Sequence, residues 1–133
     1  MISSYSDLIQ ASYSQQEPQR LLFVFCRAEL PDEASPEEKA AFERGEGGAL
    51  TPVVCVDKTP DEAPDFATLH EESRATGQSW DVVFVAAMSG RGGTPPSTDE
   101  AQQPLTMMVE SLPLGHIHNS LPLDTQGNAV SLG

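Results

Sequence analysis

Apolar positions recur in two rhythms along the chain. Near the start, Tyr5, Leu8, Ile9 and Ser12 share one helical face, which predicts a helix from Ser4 to about Gln15. Ser4 and Asp7 form a variant of the capping box, and Pro18 closes the element. Arg20 to Cys26 is a short continuous apolar run and reads as an interior strand. Ser35-Pro36-Glu37-Glu38 opens a short helix from Pro36 to Arg44, stopped by Gly45, with a flexible turn to Gly48. Leu50 to Val56 is a second apolar strand, whose Pro52 marks either its start or an edge position. A third helix is predicted from about Asp65 to Thr76, with Phe66, Leu69 and Ser73 inward and Gly77 as its stop. Trp80 to Ala87 is the third strand, and a glycine-rich loop from Ser89 to Pro96 follows it. Ser97 to Glu100 is another capping box. Its helix carries Leu105, Met108, Val109 and Leu112 as a stripe, with a kink or a delayed start at Pro104, and ends at Gly115. The tail from His116 to Leu132 reads as a hairpin that turns at Asp124 to Asn128, with Gly127 supplying the positive φ.

This alternation predicts a single α/β domain over residues 1–133. We expect a layered fold with about four helices and a mixed sheet of about five strands, the first three parallel and the last two an antiparallel hairpin. The expected sheet core is Leu22, Val24, Val54, Val56, Val83 and Val85. Strand order is not encoded locally.

Charge narrows the function. Twenty acids face seven bases, a net −13, in a chain of 133 residues. Such a balance argues against direct nucleic-acid binding and against an anionic membrane surface, which both need clustered cations. No apolar run reaches the length of a membrane span. The opening residues lack the basic and apolar regions of a signal peptide. Cys26 and Cys55 form no Cys-x-x-Cys motif, so a cytoplasmic, reducing environment without a disulfide is expected.

Several blocks carry a family resemblance. They are Pro18 to Phe25, Ala28 to Pro31, Gly45 to Leu50, Cys55 to Lys58, Glu71 to Arg74, Gly77 to Asp81, Val83 to Ala87 with Ser89 to Gly93, and Met108 to Ser111. Together they resemble a family of small acidic bacterial proteins commonly labelled "ribonucleotide reductase subunit alpha". The resemblance spans almost the whole chain and carries over no activity and no catalytic residue. The label does not transfer physically. Ribonucleotide reduction needs a large barrel, a radical-holding cysteine and a separate redox pair, which 133 residues with two cysteines cannot supply.

The candidate site is positional. Ligands of parallel α/β sheets bind beyond the carboxyl ends of the strands. Arg27, Lys58 and Arg91 each fall just past a strand, three of only seven basic residues. With parallel strands they converge, and Ser89, Gly90, Gly92 and Gly93 could present backbone N–H groups to an anion. The opposing reading makes the glycines a turn and pairs the bases locally with Glu29, Asp57 or Asp61. The loop matches neither a P-loop nor a dinucleotide fingerprint. Cys26 beside Arg27 is a weak nucleophile candidate, and Cys55 reads as core. His116 and His118 could face one way on a strand, with His70 or Asp124 as a third ligand, but such pairs are commonly solvated and no metal or other cofactor is expected. Residues 29–72 hold 13 acids and 3 bases, a local −10.

Three functions remain. The first is a non-enzymatic binding or regulatory domain with a protein partner, possibly basic. The second is a binding protein or enzyme for a small anionic ligand, using Arg27, Lys58, Arg91 and the loop. The third is an acidic decoy that occupies the groove of a basic nucleic-acid-binding partner. No catalytic residue is assigned, and the balance leans away from an enzyme.

Overall fold

A computed structural model describes residues 2–30, 33–44, 49–112 and 120–130. Its elements run α1 (Tyr5–Tyr13), β1 (Gln19–Glu29), α2 (Pro36–Glu43), β2 (Ala49–Lys58), α3 (Phe66–Ala75), β3 (Val82–Ser89), α4 (Thr98–Ser111) and β4 (Leu121–Leu123). The α/β class and the four helices match the sequence reading. The sheet does not. Among the described residues it has four strands in the order β2-β1-β3-β4, and every neighbouring pair is antiparallel.

The correction has a topological cause. β1 runs opposite to both β2 and β3 and lies between them. The two flanking strands therefore run the same way, joined by a crossover that contains α3, but they are split by β1 and share no hydrogen bonds. Among the described residues, the expected fifth strand is not present. The turn at Asp124–Asn128 is present: the Asp124 N–H donates to the Asn128 carbonyl at 2.9 Å, and Gly127 has φ 83°. Beyond it, Ala129 makes only an isolated bridge to Leu123 and donates its N–H to the Ser3 carbonyl. Gly45 to Gly48, Gly115, His116 to His118, Ser131 and Leu132 lie outside the described residues.

β1 is apolar throughout because both of its faces are covered. Leu21, Phe23 and Phe25 face a cluster with Tyr5, Leu8 and Ile9 of α1, Leu69 of α3, Trp80, Val83, Val85 and Leu123. Leu22, Val24 and Cys26 face the other way, against Phe84 and against Ala101 and Leu105 of α4. Val54 and Val56 are half-buried against the first cluster. None of the six expected core residues is exposed.

The helix starts follow their caps. The Ser4, Ser35, Asp65 and Ser97 side chains each accept an N–H three residues on, and the boxes at Ser35/Glu38 and Ser97/Glu100 are complete. α4 starts at Thr98 and continues past Pro104 in its interior, so its start is not delayed. α2 buries none of its residues. Cys55 is the other correction. It is exposed, because β2 is the edge strand and Cys55 points away from the helix α3 that covers Val54 and Val56.

Candidate functional site

The antiparallel sheet separates the expected cations. Arg27 pairs with Thr51, whereas Lys58 pairs with Leu21 at the opposite end of β1. Six residue steps along β1, from Leu21 to Arg27, separate the two levels, or about 20 Å. Arg27 donates to the Ser79 carbonyl and the Gln78 side-chain oxygen and lies 3.8 Å from Glu29. Lys58 and Ser89 do share an end, since β2 and β3 finish together there. Lys58 is held by Glu72 at 2.7 Å. Arg91 is exposed on the loop, where its charge helps lower the Glu100 pKa behind the larger effect of the Ser97 N–H.

The glycines of the loop have structural reasons. Arg91 and Thr94 exchange both backbone hydrogen bonds around Gly92 (φ 60°) and Gly93 (φ 83°). Two positive φ values in a two-residue connection are the signature of a tight primed turn. Gly90 is packed so closely that a Cβ there would sit 2.0 Å from the Thr94 carbonyl oxygen. The Gly93 N–H is not open to an outside anion, because it donates to the Glu17 carboxylate at 2.8 Å. Ser89 accepts from the Gln19 amide at 2.7 Å.

Behind the loop sits a buried ion pair that the sequence reading missed. Arg20 donates to Asp57 at 2.7 Å and through Nε to the Pro96 carbonyl at 2.6 Å. Thr98 at the head of α4 donates to the same Asp57 oxygen at 2.9 Å. The two charged side chains are only 13% and 11% exposed. This knot ties β1, β2 and the start of α4 together and fixes where the glycine turn stands.

At this end of the sheet lies a cleft of about 520 Å³. The end of α1 and its exit supply Ser12, Tyr13, Gln15, Gln16, Glu17 and Pro18, and the β2–α3 connection supplies Thr59, Pro60 and Asp61. Gln19, Gly93 and Pro95 complete the wall. The Tyr13 hydroxyl donates to Asp61 and is held above its ordinary pKa, first by that hydrogen bond. The lining thus carries two carboxylates and no basic side chain, which suits a group that donates hydrogen bonds or carries positive charge. The polar run Ser14-Gln15-Gln16-Glu17 between the first two elements was the one signal for it in the sequence.

The cysteines are unbonded. Burial pushes the Cys26 thiol up to about 12, so it stays protonated and unreactive at neutral pH. Among the described residues, no three His, Cys, Asp or Glu side chains are grouped to hold a metal ion, and no helix is long and apolar enough to cross a membrane. The expected histidine pair, His116 and His118, lies outside those residues.

No protein-family model, curated protein or solved structure matches the chain.

Proposed function

We propose that this chain is a binding domain for a basic protein partner, which it engages through the half of the molecule built from residues 29–72. One observation carries the reading. Within that net −10 segment, Asp61, Glu62, Asp65, Glu71 and Glu72 all fall between the end of the edge strand β2 and the end of the helix α3, which packs beside β2. Its best-placed cation, Lys58, is already neutralised by Glu72. A concentrated field of one sign steers a partner of the other sign and raises its on-rate. The acidic lining of the neighbouring cleft extends the same field. The unbonded cysteines fit the reducing, cytoplasmic location that we assign.

The competing anion reading asks Arg27, Lys58 and Arg91 to act together. Arg27 stands at the far end of the sheet with its own partners and Lys58 is held by Glu72, which leaves that reading little support. Fluorescence anisotropy decides between the two with defined probes. A labelled peptide of alternating lysine and valine should bind saturably and lose affinity between about 50 and 300 mM salt, while its glutamate-valine counterpart should not bind. Inorganic phosphate should leave the protein's spectrum unchanged. Saturable phosphate binding that Arg91→Ala abolishes, with no binding of the basic peptide, would replace this function with the anion one.

A further inference from the structure

Resting on that reading, we propose how the partner is held: an extended basic segment adds to the open edge of β2 as a fifth strand and seats one apolar side chain between β2 and α3. β2 has ten residues, and among the described residues no strand pairs with its outer side. The other edge of the sheet is the three-residue β4. A long, largely apolar edge invites strand addition unless something blocks it. Here the blocks cover only one half. Pro52 and the irregularity opposite Phe25 and Cys26 interrupt the first part of β2. Val54 to Lys58 is left as an uninterrupted stretch, about 17 Å long at the usual rise per residue.

A slot of about 120 Å³ opens beside this stretch. Phe25, Val54, Val56 and Leu69 line it, and the Lys58–Glu72 ion pair stands with Thr76 on α3 among its walls. A groove between an edge strand and a helix, with one apolar pocket, is how strand-adding domains gain specificity: main-chain bonds give affinity, and alternate side chains are read by pockets. The slot is the size of one branched aliphatic side chain.

Charge selects the occupant. Two copies of this chain, each at −13, would bring two segments of −10 edge to edge. A partner segment with lysine or arginine beside its apolar residues meets the opposite field. Its basic side chains would reach Glu72, which is about half-exposed at the rim.

The test is a nuclear magnetic resonance titration of the full ¹⁵N-labelled chain with an N-acetylated peptide of alternating lysine and valine, about nine residues long. Alternate amides within residues 54–58 should slow in hydrogen exchange by about tenfold or more. Valine methyls of the peptide should show nuclear Overhauser contacts to Val54, Val56 and Leu69. A peptide that binds while these amides stay unchanged, with shifts confined to the cleft around Tyr13 and Asp61, overturns strand addition and leaves the basic-partner reading standing. A peptide that does not bind at low salt overturns both. Edge protection that appears without peptide as protein concentration rises overturns the choice of occupant in favour of a second copy.

Discussion

Removing the carboxylate of Asp57 should unfasten the knot that positions the glycine turn. In Asp57→Ala, the Arg20 guanidinium keeps its bond to the Pro96 carbonyl but loses its 2.7 Å partner, leaving only the exposed Glu62 carboxylate at 4.0 Å, while it is itself 13% exposed. The Thr98 hydroxyl loses its acceptor as well. Breaking a buried pair by removing one partner costs about 3–5 kcal/mol, and residual exposure places this case near about 3. Unfolding entropy near about 2.1 cal/mol/K per residue gives about 0.28 kcal/mol/K for this chain. The midpoint should therefore fall by about 11 °C. The double variant Arg20→Met/Asp57→Leu removes both charges and should recover most of that loss, because apolar replacement of a whole buried pair is often neutral. Thermal and urea unfolding followed by circular dichroism reads both variants. A loss below about 1 kcal/mol in Asp57→Ala, or a double variant as unstable as the single one, would refute the claim that the pair is buried and coupled.

Other outcomes follow from the same geometry. In the native protein a thiol reagent should label Cys55 alone, with Cys26 reacting only on unfolding; two equally fast thiols would contradict the burial of Cys26. Gly90→Ala should destabilise by about 3 kcal/mol, since its Cβ meets backbone that cannot yield. Exposed Arg91→Ala should stay within about 0.5 kcal/mol of the native chain. Stability should fall as pH rises through 9 to 10 and beyond, because burial raises the pKa of Cys26 and Tyr5 above their ordinary values of 9.0 and 10.0, so the unfolded chain releases their protons first. Tyr5→Phe should flatten that alkaline limb. On the acid side, backbone N–H donors hold the Asp7, Glu62, Asp65 and Glu100 carboxyls below their ordinary values of 3.8 to 4.5, so the stability they add is present above that range and lost as pH falls below it through their lowered folded values.

Local structure was legible because it is written locally. The Tyr5, Leu8, Ile9 and Ser12 face, the caps at Ser4, Ser35 and Ser97, and the three apolar strands each declare themselves within a few residues. Strand direction does not. A strand covered on both faces carries the same unbroken apolar run whether its neighbours are parallel or antiparallel, and β1 has that run. Alternating helices and strands likewise suit both a simple parallel sheet and one in which β1 is inserted between β2 and β3. That single ambiguity misplaced Arg27 relative to Lys58 and Arg91. Two clues were present but unused. Gly92-Gly93 is a dipeptide that favours a primed turn. Arg20 and Asp57 are lone charges at the margins of apolar strands, where a charge needs a partner.

The proposed acidic docking face is tested most directly by making the same change in net charge at two different places. Glu71→Lys/Glu72→Lys reverses two acids of α3, while Asp99→Lys/Glu110→Lys makes the same change on α4, across the sheet. At about 0.5 kcal/mol per exposed pair, reversing two acids removes about 2 kcal/mol of attraction, about thirtyfold in Kd. Titrating both variants with the lysine-valine peptide at low salt should show that loss in the α3 variant and a change under about threefold in the α4 variant. Equal losses in the two would mean that the peptide senses total charge and that residues 29–72 form no docking face.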